Sequence, residues 1–145
     1  MNLSRIKLFL QLVAIAHVIG GLFLPILVNT PLFAAYNTSV YEALEVEGTG
    51  QNSNINFLHG LFGPTIASWG ILFFYVVTTT FAKPDKKGWW TILLACLAWA
   101  PLDCFLSIQK GIYLNGLIDL VVFVLILGPL FMARKHFFSP QAPTP

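Results

Sequence analysis

The chain has 145 residues, 57% of them hydrophobic and 10% charged, where a soluble domain carries roughly 25% charged residues. Its 8 Lys and Arg against 6 Asp and Glu leave a formal charge of +2, too little to neutralise a run of phosphates, so nucleic acid is excluded as a partner. Disorder is excluded as well, because so many apolar side chains cannot stay in water.

A helix that crosses a hydrocarbon layer of about 30 Å needs about 20 apolar residues. Leu8–Val28 is the first stretch to meet this requirement. Arg5 and Lys7 precede it as they would a signal peptide, but its apolar run exceeds the roughly 7–15 residues of such a peptide. No small-x-small cleavage site follows closely, so it reads as a retained span. His17 lies on the same face as Gly20 and Gly21, about 16 Å from the later end of the helix.

The segment Asn29–Asn56 holds Glu42, Glu45 and Glu47 but no Lys or Arg. Ser39-Val40-Tyr41-Glu42 fits a capping box, predicting a short helix that runs to Glu47. Tyr36, Val40, Tyr41 and Leu44 fall at helical spacing, which suits a helix on the membrane surface; an irregular loop is the alternative. Gly48–Asn56 reads as a flexible polar linker.

Three further spans follow, at Phe57–Ala82, Trp89–Ile108 and Leu117–Ala133. In the second, His59 aligns with Gly63, Ala67 and Gly70, a stripe that lets membrane helices approach closely. In the third, Cys96, Ala100, Asp103 and Ser107 form a small or polar row, and before the fourth Asn115 sits one turn from Asp119. Each span carries a proline, at Pro25, Pro64, Pro101 and Pro129, and each frees the carbonyl four residues earlier. The freed carbonyls of Gly21 and Gly60 stand ready for water or a ligand. Trp89 and Trp90, after Lys86 and Lys87, read as interface anchors.

Lys and Arg near span ends are retained on the cytoplasmic side. Arg5, Lys7, Lys83, Lys86, Lys87, Arg134 and Lys135 all fall at one side under a four-span topology, and only Lys110 falls at the other. The expectation is therefore an all-α integral membrane protein. It is a four-transmembrane-helix bundle with both termini cytoplasmic, a short surface helix in the first outer loop and a single domain over 1–138. A disordered tail at 139–145 completes it, and a bacterial inner membrane is the expected compartment.

Ionisable side chains inside a span call for a partner, water or a role. His59, Asp103 and Asp119 share the outer half of the bundle, with Ser107 and Asn115 beside them, while His17 lies nearer the midplane. His59 between Asp103 and Asp119 makes a buried polar network that aligns the helices. The same network forms a floor for a polar headgroup or quinone-like ring, with Trp69, Trp99, Phe62 or Phe105 as walls. His59, Asp103 and Asp119 are candidate metal ligands, but the depth of His17 excludes it from their site and no paired-ligand motif occurs. Cys96 and Cys104 are about 12 Å apart along one helix, too far for a disulfide.

These residues support a binding or accessory membrane protein with an outer-leaflet site for a lipid-like ligand, or with docking faces for a larger membrane complex or a second copy. A membrane-embedded enzyme using His/Asp acid–base or metal chemistry is the alternative. An oligomeric proton-coupled transporter is the second.

Overall fold

The computed structural model describes residues 2–46 and 48–139, and every regular element among them is helical. Helix α1 spans Leu3–Leu27; a 3-10 turn at Pro31–Phe33 leads into α2, Ala34–Ala43. The remaining helices are α3 (Thr49–Ala82), α4 (Lys86–Gln109) and α5 (Tyr113–Phe138). Four of them, α1, α3, α4 and α5, are long and apolar enough to cross a membrane.

Each long helix buries one narrow stripe. On α1 it is Ile6, Leu10, Ala14 and Gly21, at helical spacing. The rest of α1 presents Leu12, Ile19, Leu22, Phe23 and Ile26 outward, with Leu22 62% and Ile26 65% exposed. Apolar surface of that extent needs an apolar surrounding, and a bilayer supplies it.

Helices α1 and α3 form one tight antiparallel pair, α4 and α5 another, and the pairs meet along α1 with α5 and α3 with α4. The α1–α3 seam is set by glycine. A Cβ on Gly21 would lie 2.5 Å from the Gly63 carbonyl oxygen, and one on Gly70 would lie 2.9 Å from the Ala14 carbonyl oxygen. Backbones this close admit no side chain between them. The Gly21 carbonyl, freed by Pro25, points at the place a Gly63 side chain would fill. It is closed off by packing rather than open to a ligand.

Short connections make the other hairpins. The Asp85 carboxylate caps α4 by accepting from the backbone N–H groups of Lys87 (3.2 Å) and Gly88 (3.0 Å). Between α4 and α5 the chain reverses at Gly111, whose φ of 77° suits glycine. The core is graded along the bundle. Near the chain termini it is large and apolar, built from Ile6, Leu10, Phe81, Trp89, Leu130 and Phe137. At the end carrying α2 the buried residues include Asn37, Ser107 and Asp119.

The structure revises several expected elements. The helix of the first long connection starts at Ala34, not at Ser39. Pro31 presets the first turn, so Ser39 falls inside the helix and its hydroxyl donates to the Tyr36 carbonyl at 2.7 Å instead of capping. The buried face carries Asn37 and Val40, while Leu44 is exposed. Residues 49–56 are the first turns of α3 rather than a linker, because extending an existing helix fixes one residue per added bond and avoids a new nucleus. Helices α1, α4 and α5 likewise run past the apolar stretches into polar sequence. Trp89 is a core residue, 2% exposed, with its indole N–H donating to the Leu130 carbonyl at 3.0 Å. Trp90 alone of the pair faces outward. Glu47 and the tail beyond Ser139 lie outside the described residues.

Candidate functional site

At the α2 end, polar side chains from four helices come together. The Tyr36 hydroxyl on α2 donates to Asn115 Oδ1 on α5 at 3.1 Å. Asn115 Nδ2 donates in turn to Ser107 Oγ on α4 (2.8 Å) and to Asp119 Oδ2 (3.2 Å). On its other side the Tyr36 ring meets the His59 ring of α3, with centroids 5.4 Å apart and planes inclined at 60°. Asn115 is the hub, because a carboxamide can accept from a phenol and donate two hydrogens at once.

Tyr36 lies in the connection between spans, and its hydroxyl is held above the ordinary tyrosine pKa. Burial contributes most, followed by the carboxylates of Asp119 and then Asp103. The phenol therefore stays protonated and keeps its donor role toward Asn115. Both carboxylates are close enough to Tyr36 for their charge to act on it, although Asp103 belongs to a different local arrangement. Its Oδ2 accepts from the Trp99 indole N–H at 3.1 Å, one turn earlier on α4.

His59 does not bridge the two aspartates. Among the described residues it forms no ion pair, and its Nδ1 is buried without a hydrogen-bond partner. The span periodicity indicates which way His59 faces but not how far it stands from α4 and α5, and Tyr36 fills that gap. His17 is separate from the cluster. Its Nδ1 engages the Val13 carbonyl oxygen at 2.7 Å within α1, and its ring packs on Trp69 at 4.9 Å. Trp69 then contacts Trp99 at 6.2 Å, so the aromatic pair links His17 toward Asp103. Phe62 and Phe105 are 61% and 55% exposed and face away, which removes them as walls of the site. No three His, Cys, Asp or Glu side chains among the described residues group as metal ligands, so His59, Asp103 and Asp119 do not converge as such a set.

A second polar surface lies on the other flank of α2. Asn29, Thr30, Asn37, Thr38, Tyr41 and Asn56 line a shallow groove between the end of α1, α2 and the start of α3. Asn37 is 6% exposed and its Nδ2 donates to the Val28 carbonyl at 2.7 Å, which fixes the amide orientation. Its Oδ1 is then left buried without a partner. The Tyr41 hydroxyl donates to Asn56 Oδ1, and Asn56 Nδ2 donates to Asn29 Oδ1 at 3.2 Å. The sequence puts Tyr36 with Val40, Tyr41 and Leu44 on the apolar face of a surface helix rather than in the polar site, and it does not single out Asn37. The available signal was the helical spacing of Asn37 with Val40, which puts an amide on the buried face.

No family model matches this chain, and no curated protein or solved structure does.

Proposed function

We propose that this protein is a membrane binding protein of accessory type, in which the α2 end holds the polar part of a lipid-like ligand. One observation carries this reading. Among the described residues three buried side-chain polar atoms have no partner, Asn52 Oδ1 near the start of α3 and two, His59 Nδ1 and Asn37 Oδ1, on the two flanks of the same short helix. Each such orphan costs about 1–3 kcal/mol, and a ligand hydroxyl or amine that reaches it offsets that cost. Asp119 adds a buried carboxylate that, among the described residues, has one amide donor and no cation. The groove beside Asn37 has a neutral lining in which amides and hydroxyls alternate with apolar Val28, Pro31 and Ala34, which suits a hydroxyl-bearing head, and the apolar outer faces of α1 and α3 suit acyl chains.

In this reading the four long helices span a cytoplasmic membrane with both termini inside and α2 at the outer surface. The seven cations at the terminal side support that orientation.

The test is to extract the protein with its surrounding lipid and compare bound species with bulk membrane lipid by mass spectrometry. One lipid class should be enriched. His59→Phe, which keeps a ring against Tyr36 and removes the orphan nitrogen, should abolish the enrichment while leaving the helical circular dichroism intact. Bound lipid in bulk proportion, or equal enrichment in His59→Phe, would overturn the reading.

A further inference from the structure

The opposite end of the bundle carries an unrelated feature. Phe131, Met132, Arg134, Lys135, Phe138 and Ser139 line an open cleft at the end of α5. Lys86, at the start of α4, brings its Nζ to 5.6 Å from the Phe138 ring centroid, and the Arg134 guanidinium carbon lies 5.7 Å from the same centroid. Two cations from different helices thus share one aromatic ring. The α4–α5 hairpin holds them there through the buried Trp89 indole, which bonds the Leu130 carbonyl and meets Phe138 edge-on at 5.2 Å.

Among the described residues these cations form no ion pair with an acidic side chain. Among the described residues Asp85 is the acidic side chain of this end, and its carboxylate already accepts from two backbone N–H groups of α4. Glu42 and Glu45 belong to the α2 end. Arg134, Lys135 and Lys86 are all exposed, so an anion can approach. The cleft is also amphipathic. Phe131 and Met132, 50% and 55% exposed, continue from the cations along the lipid-facing side of α5. A free inorganic anion would use the charges and ignore that apolar wall, whereas a phospholipid uses both.

We propose that this cleft is a binding site for an anionic phospholipid, with its phosphate between Lys86 and Arg134 and an acyl chain along Phe131 and Met132. Arg134 supplies a planar fork for phosphate oxygens, and Lys135 adds charge at the rim. The site is independent of the ligand proposed at the α2 end.

The probe is dioleoyl phosphatidylglycerol, titrated into delipidated protein in neutral detergent and counted as bound lipid by native mass spectrometry, with dioleoyl phosphatidylcholine as the neutral control. The anionic lipid should bind the more tightly. Lys86→Gln and Arg134→Gln should each weaken it roughly fivefold, a typical effect of one cation at a membrane surface, and the double variant by more than tenfold. Lys86→Arg should restore binding. Arg5→Gln with Lys7→Gln removes two charges that neither line the cleft nor stand over the Phe138 ring and should have a smaller effect than Lys86→Gln or Arg134→Gln. An equal loss in that pair would show a diffuse surface potential and overturn the site. So would equal binding of the two lipids, or displacement of phosphatidylglycerol by inorganic phosphate at comparable concentration.

Discussion

Tyr36 and Asn115 decide how the α2 end is organised. The phenol must donate for the pair to hold, because Asn115 offers it an acceptor while its own amide hydrogens go to Ser107 and Asp119. Ionisation would replace that donor with an anion beside Asp119 and Asp103. A group whose folded pKa is raised contributes stability that is complete below its ordinary value and is lost as pH climbs through the folded one. Docking of α2 should therefore be insensitive to pH up to about 10, the ordinary tyrosine value, and weaken above it. In an ultraviolet difference titration, the phenolate signal that Tyr36→Phe removes should develop above the ordinary tyrosine value. If the signal lost in Tyr36→Phe develops at or below that value, the environment assigned to Tyr36 is wrong. The sequence made Asn115 and Asp119 legible as one-turn neighbours. It could not reveal Tyr36 as their partner, because the two residues are 79 positions apart and nothing in a helical period reports which side chain crosses between helices.

Among the elements, the α1–α3 pair is the most tightly constrained. Without a hydrophobic drive between helices in lipid, close packing carries the association, and here packing depends on hydrogen atoms standing where side chains would be. Gly63→Ala would set a methyl group against the Gly21 carbonyl oxygen and the Pro25 ring. The helices must part or twist, at a cost of about 1–3 kcal/mol. Gly20→Ala is the matched control, since nothing lies within 4 Å of that position and it faces outward. Thermal unfolding in detergent should show a lowered midpoint for the first and an unchanged or raised midpoint for the second. Equal midpoints would mean that the seam is looser than its geometry implies. The stripe Gly63, Ala67, Gly70 announced close packing in the sequence, but only the fold showed that Gly21 answers it while adjacent Gly20 does not. Both lie on one side of α1, and a rotation of about 100° per residue separates contact from exposure.

At the scale of the whole molecule, charge and polarity are sorted by end. Cations collect where the chain begins and finishes, and amides, glutamates and the buried carboxylate collect around α2. In cells, a thiol placed by Thr49→Cys in a Cys96→Ala, Cys104→Ser background should react with a membrane-impermeant reagent from outside. One placed by Ser139→Cys should react only after the membrane is opened. The reverse pattern would invert the orientation and with it the side from which either ligand enters. The apolar stretches and the distribution of Lys and Arg determined by themselves that four helices would be long enough to cross a bilayer, because hydrocarbon thickness sets a length and rejects charge. The expectation that His59, Asp103 and Asp119 share a height likewise comes from counting residues along an axis. Tertiary structure alone decided the lateral arrangement: Asn115 rather than His59 joins the polar groups, His17 turns to Trp69, and Asn56 of α3 meets Tyr41 of α2. The rise per residue gives a side chain its depth from sequence alone, whereas its neighbours depend on how each helix is rotated and which helix it packs against.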